Sequence, residues 1–265
     1  MMWLLWVACT VKPLDPTGTI SEETFYSASV DDDYVLRLRT PPGFESGSDV
    51  PLVVQLDPTF VGLRQFDHTV GFVSQRAAEG AWPDAVVLGV DYPDPFTRDR
   101  DYLPPDPPAE TFDGDGADLF FRALREEIVP YVEASLELSP RTRVIVGHSN
   151  GGVFATYAAL RFDPADGAAF DGVVSADFGV GTELFTYEQW LADRADDLPL
   201  RWYASRAVYN GATQQITHEA LFERLRGREY PSLALETAVL ETDHGGAVAP
   251  SFEQGLDFVF GGEVP

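Results

Sequence analysis

A Gly-x-Ser-x-Gly motif, Gly147-His148-Ser149-Asn150-Gly151, is the strongest chemical signal in the sequence. An apolar run precedes the motif and a helix-like stretch follows it, so it lies in a strand–turn–helix context. Such a turn exposes the serine hydroxyl at the carboxyl end of the strand. It also points the next backbone N–H at a developing oxyanion, near the helix N-terminus. The motif therefore predicts nucleophilic attack by Ser149 on a carbonyl carbon, and a glycine-rich turn with an idle serine is the alternative.

A nucleophilic serine needs a base, and the chain offers four histidines. His68 precedes the serine, in a loop or at a helix start. His148 lies inside the motif and points away from the nucleophile, and His218 falls near the start of a helix and is expected at the surface. His244 follows the last strand, directly before the closing helix, on the side of the sheet where Ser149 also lies. We therefore expect His244 to be the base, with an exposed loop histidine as the alternative.

These residues must be positioned by alternating strands and helices. Residues 23–30 and 33–40 alternate apolar and polar side chains around Asp31-Asp32-Asp33, which predicts an antiparallel hairpin. Apolar runs typical of strands buried on both faces follow at 51–56, 85–90, 143–147, 172–176, 201–208 and 235–240. Helical periodicity lies between them, at 117–136, 216–228 and 250–260. The pattern predicts an α/β fold with a mostly parallel central sheet, an N-terminal antiparallel hairpin and helices on both faces.

The first 21 residues differ from the rest of the chain. Residues 1–9 form an apolar run that is too short to span a bilayer and that ends in Ala8-Cys9. A small residue before the only cysteine resembles a bacterial lipobox, and residues 10–21 resemble a flexible tether. We therefore expect a lipoprotein-like signal and tether over residues 1–21, an extracytoplasmic location, and a single domain over residues 22–265. A chance buried cysteine is the alternative.

The charge balance excludes some partners. The 265 residues include 18 Lys and Arg against 43 Asp and Glu, which gives a formal net charge of −25. Such a field repels phosphate backbones, so nucleic acid is not an expected partner. An acidic chain whose only lysine is Lys12 fits either a salt-rich habitat or a GC-rich genome. A single cysteine excludes an internal disulfide and a Cys-based zinc site, and we expect no metal and no organic cofactor.

Five short segments of the sequence, taken together, are typical of one protein family. They are Pro-Leu-Val-Val-Gln-Leu-Asp at 51–57, Asp-Arg-Asp-Tyr-Leu-Pro at 99–104, Gly-Ala-Asp-Leu-Phe at 116–120, the turn at 147–152 and Asp-His-Gly at 243–245. With these strings the chain resembles the esterase-D-like branch of the α/β-hydrolases, which includes enterochelin-esterase-like siderophore hydrolases. The Arg-Asp-Tyr string looks most like the siderophore-esterase side. The resemblance implies an α/β-hydrolase fold and hydrolysis of a small-molecule ester.

The same resemblance implies roles for individual residues. Ser149 would be the nucleophile, and His244 would be the general base and then the acid. The oxyanion hole would be formed by the N–H groups of Asn150 and of a residue after the first central strand. Relatives have glycine after the Leu-Asp that ends this strand, but here Pro58 stands there, and Thr59 occupies the donor position.

The acid that should orient the histidine is the main departure from the family. Relatives place Asp or Glu after the penultimate strand, but no carboxylate follows residues 201–208 until Glu219. Asn210 lies near the expected place and would hold the imidazole without stabilising its charge. Glu219 or Asp177 could substitute from elsewhere. If no carboxylate reaches the ring, we expect an enzyme slower by about 10- to 10⁴-fold.

Two further residues have more than one interpretation. Arg100 and Tyr102 could contact the substrate, or Arg100 could form a structural ion pair with Asp101, which we favour. The sequence as a whole predicts a serine carboxylester hydrolase that works through an acyl-enzyme. The competing hypotheses are a siderophore trilactone esterase, an acyltransferase, and a catalytically idle, surface-anchored binding protein on a hydrolase scaffold. A membrane is an expected partner only through a lipid anchor at Cys9.

Overall fold

The computed structural model describes residues 17–59, 65–92, 94, 96–105 and 116–261. These residues contain eight strands: β1 (Thr19–Ser27), β2 (Asp32–Thr40), β3 (Leu52–Leu56), β4 (Val86–Asp91), β5 (Arg143–His148), β6 (Gly172–Ala176), β7 (Leu200–Ala207) and β8 (Leu233–Leu240). They form one sheet in the order β1-β2-β4-β3-β5-β6-β7-β8. This is an α/β-hydrolase fold. The predicted lipobox and most of the predicted tether lie outside the described residues, and β1 begins at Thr19, before the predicted domain start.

The N-terminal hairpin is antiparallel, as predicted. β1 pairs with β2 from Thr19 opposite Thr40 to Ser27 opposite Asp32, and β2 then runs antiparallel to β4. The connecting turn ends at Asp31, which adopts a left-handed φ of 59°. The predicted second strand begins at Asp33, but β2 already begins at Asp32, whose backbone pairs with Ser27 of β1.

The remaining strands are parallel, from β4 through β3, β5, β6 and β7 to β8. Every residue of β3, β4 and β6 is buried, as the apolar runs predicted. For β8 the prediction was wrong, because only its last residue is buried. β8 is one of the two edge strands of the sheet and has a neighbour on one side only.

Helices cover both faces of the sheet. They are α1 (Gln65–Ala78), α2 (Arg98–Tyr102), α3 (Ala117–Arg122), α4 (Val129–Leu136), α5 (Asn150–Leu160), α6 (Thr182–Ala192), α7 (Ala212–Gly227) and α8 (Val248–Phe260). One apolar core joins α1 and α8 to the sheet, and a second core on the other face contains side chains of α2 to α7. The predicted helix at 117–136 is interrupted by a π-helical turn at Ala123–Ile128.

Because β3, β5, β6, β7 and β8 run parallel, they all end at the same side of the sheet, which we call the carboxyl edge. The segments that follow these strands therefore lie next to one another there. They contain every residue for which the sequence predicts a role in catalysis, apart from Glu219. None of the helices in the described part of the chain is long and apolar enough to cross a membrane.

Candidate active site

Ser149 lies in a strained turn at the carboxyl edge, between β5 and α5. Its φ of 59° and ψ of −125° are rare for a residue with a side chain. The turn is so tight that a Cβ at Gly147 would collide with the carbonyl oxygen of Gly151. A Cβ at Gly152 would lie 2.9 Å from the Ala176 carbonyl oxygen, which is closer than real Cβ atoms come. The glycines are therefore required by contact, and the geometry is that of a nucleophile elbow.

The His244 imidazole is bound to a carboxylate. Its Nδ1 lies 2.6 Å from Oδ2 of Asp177, whose side chain is fully buried, while the His244 side chain is half exposed. The other oxygen of Asp177, Oδ1, accepts a hydrogen bond from the Ala207 N–H at 2.7 Å and another from the Asn210 amide. A carboxylate held in this way can fix the orientation of an imidazole and stabilise its cationic form.

The surroundings of Asp177 keep it ionised. Burial by itself would raise the pKa of this carboxyl group. The hydrogen bonds from His244, Ala207 and Asn210 outweigh burial and hold the pKa of Asp177 below its usual value. The group is therefore a carboxylate at neutral pH and carries the negative charge that an adjacent imidazolium needs.

The three candidates for the acid occupy different positions in the structure, and only one of them contacts His244. Asp177 contacts His244 and follows β6 directly, one strand before the expected place. Asn210, which occupies the expected place after β7, contacts Asp177 instead of the histidine. Glu219 lies on α7 among residues such as Arg206 and lines a different pocket. The sequence did contain a signal for Asp177, since this carboxylate immediately follows a strand that ends at the carboxyl edge.

None of the other three histidines contacts Asp177 through a hydrogen bond that the structure describes. His148 is 2% exposed, its Nε2 lies 2.9 Å from the His244 carbonyl oxygen, and the two rings pack with their centroids 4.4 Å apart. The prediction that His218 lies at the surface was wrong, because it is 3% exposed and packs between Phe178 and Phe222. His68 is the fourth residue of α1 and pairs with Glu253.

The two predicted oxyanion donors lie at the start of α5 and after β3. Asn150 is the first residue of α5, so no carbonyl within the helix accepts its N–H. Its side chain donates to Asp99 at 2.7 Å. Thr59 lies in the turn after β3, and its hydroxyl donates to Asp91. Both N–H groups thus lie on segments that begin at the carboxyl edge, directly after β5 and β3.

A buried ion pair supports the turn that carries Thr59. Asp57, directly after β3, adopts a left-handed φ of 53°. Its carboxylate binds the Arg98 guanidinium through two hydrogen bonds of 2.8 and 2.6 Å, and its N–H donates to the Tyr102 hydroxyl at 3.3 Å. Pro58, which replaces the glycine of the family, accepts the Phe66 N–H through its carbonyl oxygen. The turn keeps its shape through these contacts.

Arg100 and Tyr102 have structural contacts. The Arg100 guanidinium binds Asp101 at 2.6 Å and Asp32 at 3.1 Å, so the favoured ion pair is present. Tyr102 is 1% exposed, and its ring packs against Phe120 and other aromatic side chains. The prediction that Tyr102 could contact substrate is wrong, because its side chain is enclosed in the core.

A metal ion has one conceivable place within the described residues. Ligand atoms of His148, Asp177 and His244 lie within 4.8 Å of one another. The Nδ1 of His244 and both Asp177 oxygens already take part in hydrogen bonds. A metal bound to Nδ1 of His244 would replace the contact of this nitrogen with Asp177.

Comparison with known proteins points to one family. A sequence model described as "Putative esterase" matches residues 27–166. The sequence matches none of the curated proteins with which it was compared.

Solved structures share the fold over nearly the whole chain. The BES protein from Bacillus cereus is 20% identical and superposes with a TM-score of 0.75 over 92% of this chain and 97% of its own. An IroE-like serine hydrolase from Shewanella oneidensis is 18% identical, with a TM-score of 0.74 over 91% of this chain and 80% of its own. The siderophore hydrolase EstB from Aspergillus nidulans is 17% identical, with a TM-score of 0.75 over 94% of this chain and 98% of its own.

Proposed function

The chain belongs to the Putative esterase family and is a carboxylic ester hydrolase, and we propose that it works through an acyl-enzyme formed on Ser149. The single observation that supports this mechanism best is the 2.6 Å contact between His244 Nδ1 and the buried carboxylate of Asp177. This pair lies beside the elbow, because the His148 ring that packs against His244 belongs to the residue before Ser149. A nucleophile, a base and an orienting carboxylate are thus carried by neighbouring segments.

The mechanism proceeds in two halves. Ser149 Oγ attacks the ester carbonyl carbon while His244 Nε2 takes the hydroxyl proton, and Asp177 stabilises the imidazolium that forms. The tetrahedral intermediate then collapses, the C–O bond to the alcohol breaks, and His244 returns its proton to the departing alkoxide. Water attacks the acyl-enzyme with His244 again as base, which releases the carboxylic acid and restores Ser149.

The oxyanion of each tetrahedral intermediate requires hydrogen-bond donors. We assign them to the backbone N–H groups of Asn150 and Thr59. The N-terminus of α5 adds its positive dipole end at Asn150. Loss of one such donor typically costs about 10²–10³-fold in kcat. The ion pair between Asp57 and Arg98 supports this function indirectly, because it holds the turn on which Thr59 lies.

A fluorophosphonate probe tests the nucleophile directly. We expect the wild-type protein to be labelled, Ser149→Ala to be unlabelled, and both to have the same circular dichroism spectrum. Ser139→Ala is the matched control, because Ser139 is an exposed serine outside the site. Equal labelling of Ser149→Ala and wild type would place the nucleophile elsewhere. Absence of labelling in a well-folded wild type would refute the acyl-enzyme mechanism.

A siderophore trilactone esterase is the second candidate. Two solved structures that share the fold of this chain are described as siderophore hydrolases, and this motivates the candidate. The charge of the chain opposes it, since ferric catecholates are anionic and the formal net charge is −25. Both arginines of the 98–102 helix are paired with carboxylates. A kcat/KM for a ferric catecholate trilactone above that for p-nitrophenyl acetate would favour the siderophore candidate.

Two further alternatives to a hydrolase are an acyltransferase and a catalytically idle scaffold. Acyl transfer competes with hydrolysis if an added alcohol captures the acyl group, so product analysis with and without glycerol distinguishes the two reactions. An idle scaffold would be favoured by the lack of an acid beside the histidine. The contact between Asp177 and His244 removes that reason.

We also propose an extracytoplasmic location with a lipid anchor at Cys9. The support is the sequence alone, in which small Ala8 precedes the only cysteine and a tether-like stretch follows. Metabolic labelling with a palmitate analogue tests this proposal. We expect incorporation into the wild-type chain and none into Cys9→Ala, and an unlabelled wild type would contradict it.

A further inference from the structure

His148 makes two contacts with the candidate base, neither of which the mechanism above uses. Its Nε2 lies 2.9 Å from the carbonyl oxygen of His244, and since a carbonyl oxygen can only accept, the ring must donate its Nε2–H. The two imidazole rings also pack with centroids 4.4 Å apart and an interplanar angle of 37°. His148 is 2% exposed, so both contacts are made inside the protein.

The sheet order shows why the base needs such contacts. His148 ends β5 and His244 follows β8, and these strands are separated in the sheet by β6 and β7. Three strand spacings amount to about 14 Å. The segment after β8 must therefore fold back across the ends of β7 and β6 to bring His244 beside Ser149. Asp177 at the end of β6 and His148 at the end of β5 both hold it there.

The two anchors constrain different parts of His244. The bond from Nδ1 to Asp177 fixes the ring orientation, but it leaves the main chain free to move while the side chain adjusts. The bond from His148 fixes the main chain of the same residue, and the packed ring limits motion of the imidazole on one face. We propose that His148 is a positioning residue, which sets the distance between His244 and Ser149. This inference rests on the proposed function.

The charge state of His148 suits this role. Burial, and to a lesser extent the neighbouring His244, lower the pKa of His148 to about 4. The hydrogen bond to the His244 carbonyl and the charge of Asp177 raise the pKa of His148, whereas the charge of Arg98 lowers it. His148 is therefore neutral at the pH of catalysis. A neutral ring neither takes the Ser149 proton nor repels the imidazolium that forms on His244.

Two substitutions separate the contacts of His148. His148→Phe keeps a ring for packing and removes the N–H donor, while His148→Gln keeps a donor and removes the ring. We expect His148→Phe to lower kcat for p-nitrophenyl acetate by about 10- to 100-fold with KM within about twofold, because small displacements of a base cost this much. His148→Gln should recover at least about half of that loss on a logarithmic scale.

A matched control and a spectroscopic readout complete the experiment. His218→Phe replaces another buried histidine whose pKa is lowered to about 4, on α7, and should leave kcat unchanged. The low-field proton resonance of the short bond between His244 and Asp177 should broaden or vanish in His148→Phe and persist in His218→Phe. This resonance needs no turnover, so it tests the positioning even if fluorophosphonate labelling refutes the acyl-enzyme. Wild-type kcat and an unchanged resonance in folded His148→Phe would overturn the inference.

Discussion

Replacement of Asp177 by asparagine should inactivate the enzyme through a change of tautomer. Two donors, the Ala207 N–H and the Asn210 amide, face Oδ1 of Asp177, while Oδ2 accepts from His244. In Asp177→Asn the side-chain oxygen must take the Oδ1 place, so the new amide NH₂ faces the imidazole. His244 Nδ1 must then accept a hydrogen bond, and the ring proton moves to Nε2. Nε2 is the nitrogen that has to take the proton of Ser149, so it can no longer act as a base.

The size of this effect follows from the tautomer. A serine hydrolase whose imidazole is held in the wrong tautomer loses about 10⁴-fold in kcat. That loss corresponds to about 5.5 kcal/mol in the activation free energy. The loss should appear in kcat with little change in KM, because Asp177 is fully buried and lies behind the imidazole, where no substrate can touch it.

Hydrolysis of p-nitrophenyl acetate at neutral pH is the assay, with near-UV circular dichroism to show that the variant is folded. Glu219→Gln is the matched control, because it neutralises another of the sequence-predicted carboxylates, on α7, and should leave kcat unchanged. If folded Asp177→Asn retained more than about a tenth of the wild-type kcat, the assignment of Asp177 would be wrong.

Four further outcomes are expected. Asn210→Ala should lower kcat by about fivefold, since the Asp177 carboxylate loses one hydrogen bond and keeps those from Ala207 and His244, as steady-state kinetics will show. Arg98→Met should lower the free energy of unfolding by about 3–5 kcal/mol in urea titrations, because it leaves Asp57 buried and unpaired. Gly147→Ala should abolish fluorophosphonate labelling, since its Cβ collides with the next turn. The pKa of Asp177 is lower in the folded state than in the unfolded chain. The ionised Asp177 therefore stabilises the folded protein above about pH 4, and this stabilisation is lost as the pH falls through the folded pKa. The difference in melting temperature between wild type and Asp177→Asn should accordingly shrink in acid.

Matched variants show whether these effects are specific. Gly179→Ala adds a Cβ where no atom lies within 4 Å, so it should be labelled like wild type. Arg141→Met removes an ion pair with Asp49 in which both side chains are at least half exposed, and it should change stability by less than about 1 kcal/mol. Equal losses in the test variants and these controls would contradict the contacts proposed to cause them.

Much of the fold could be predicted because the sequence pattern is local. Each buried strand is a short apolar run between helical stretches, and the observed bounds of β6 agree with the predicted run at every residue. The elbow was predictable for the same reason, since close packing requires glycine on both sides of Ser149. Burial of β8 was predicted wrongly, because a run of apolar residues does not indicate whether a strand has one neighbour or two.

The parts of the site that could not be predicted depend on contacts between distant segments. The spacing between Asp177 and His244 does not reveal which strand end the last loop approaches, so Asp177 remained one of three candidates. The contact of His148 with the His244 main chain has no sequence signal at all. His218 was expected at the surface because it falls near the start of a predicted helix, but the aromatic side chains of Phe178 and Phe222 enclose it.

The position of β8 at the edge of the sheet has a consequence for how the protein loses activity during unfolding. Outer strands with one neighbour open at a lower free-energy cost than the interior of a sheet. Such an opening carries His244 away while Ser149 and Asp177 stay in the intact remainder. Catalytic competence should therefore vanish in mild denaturant before the bulk of the molecule unfolds, and turnover is a more sensitive gauge of damage than overall compactness.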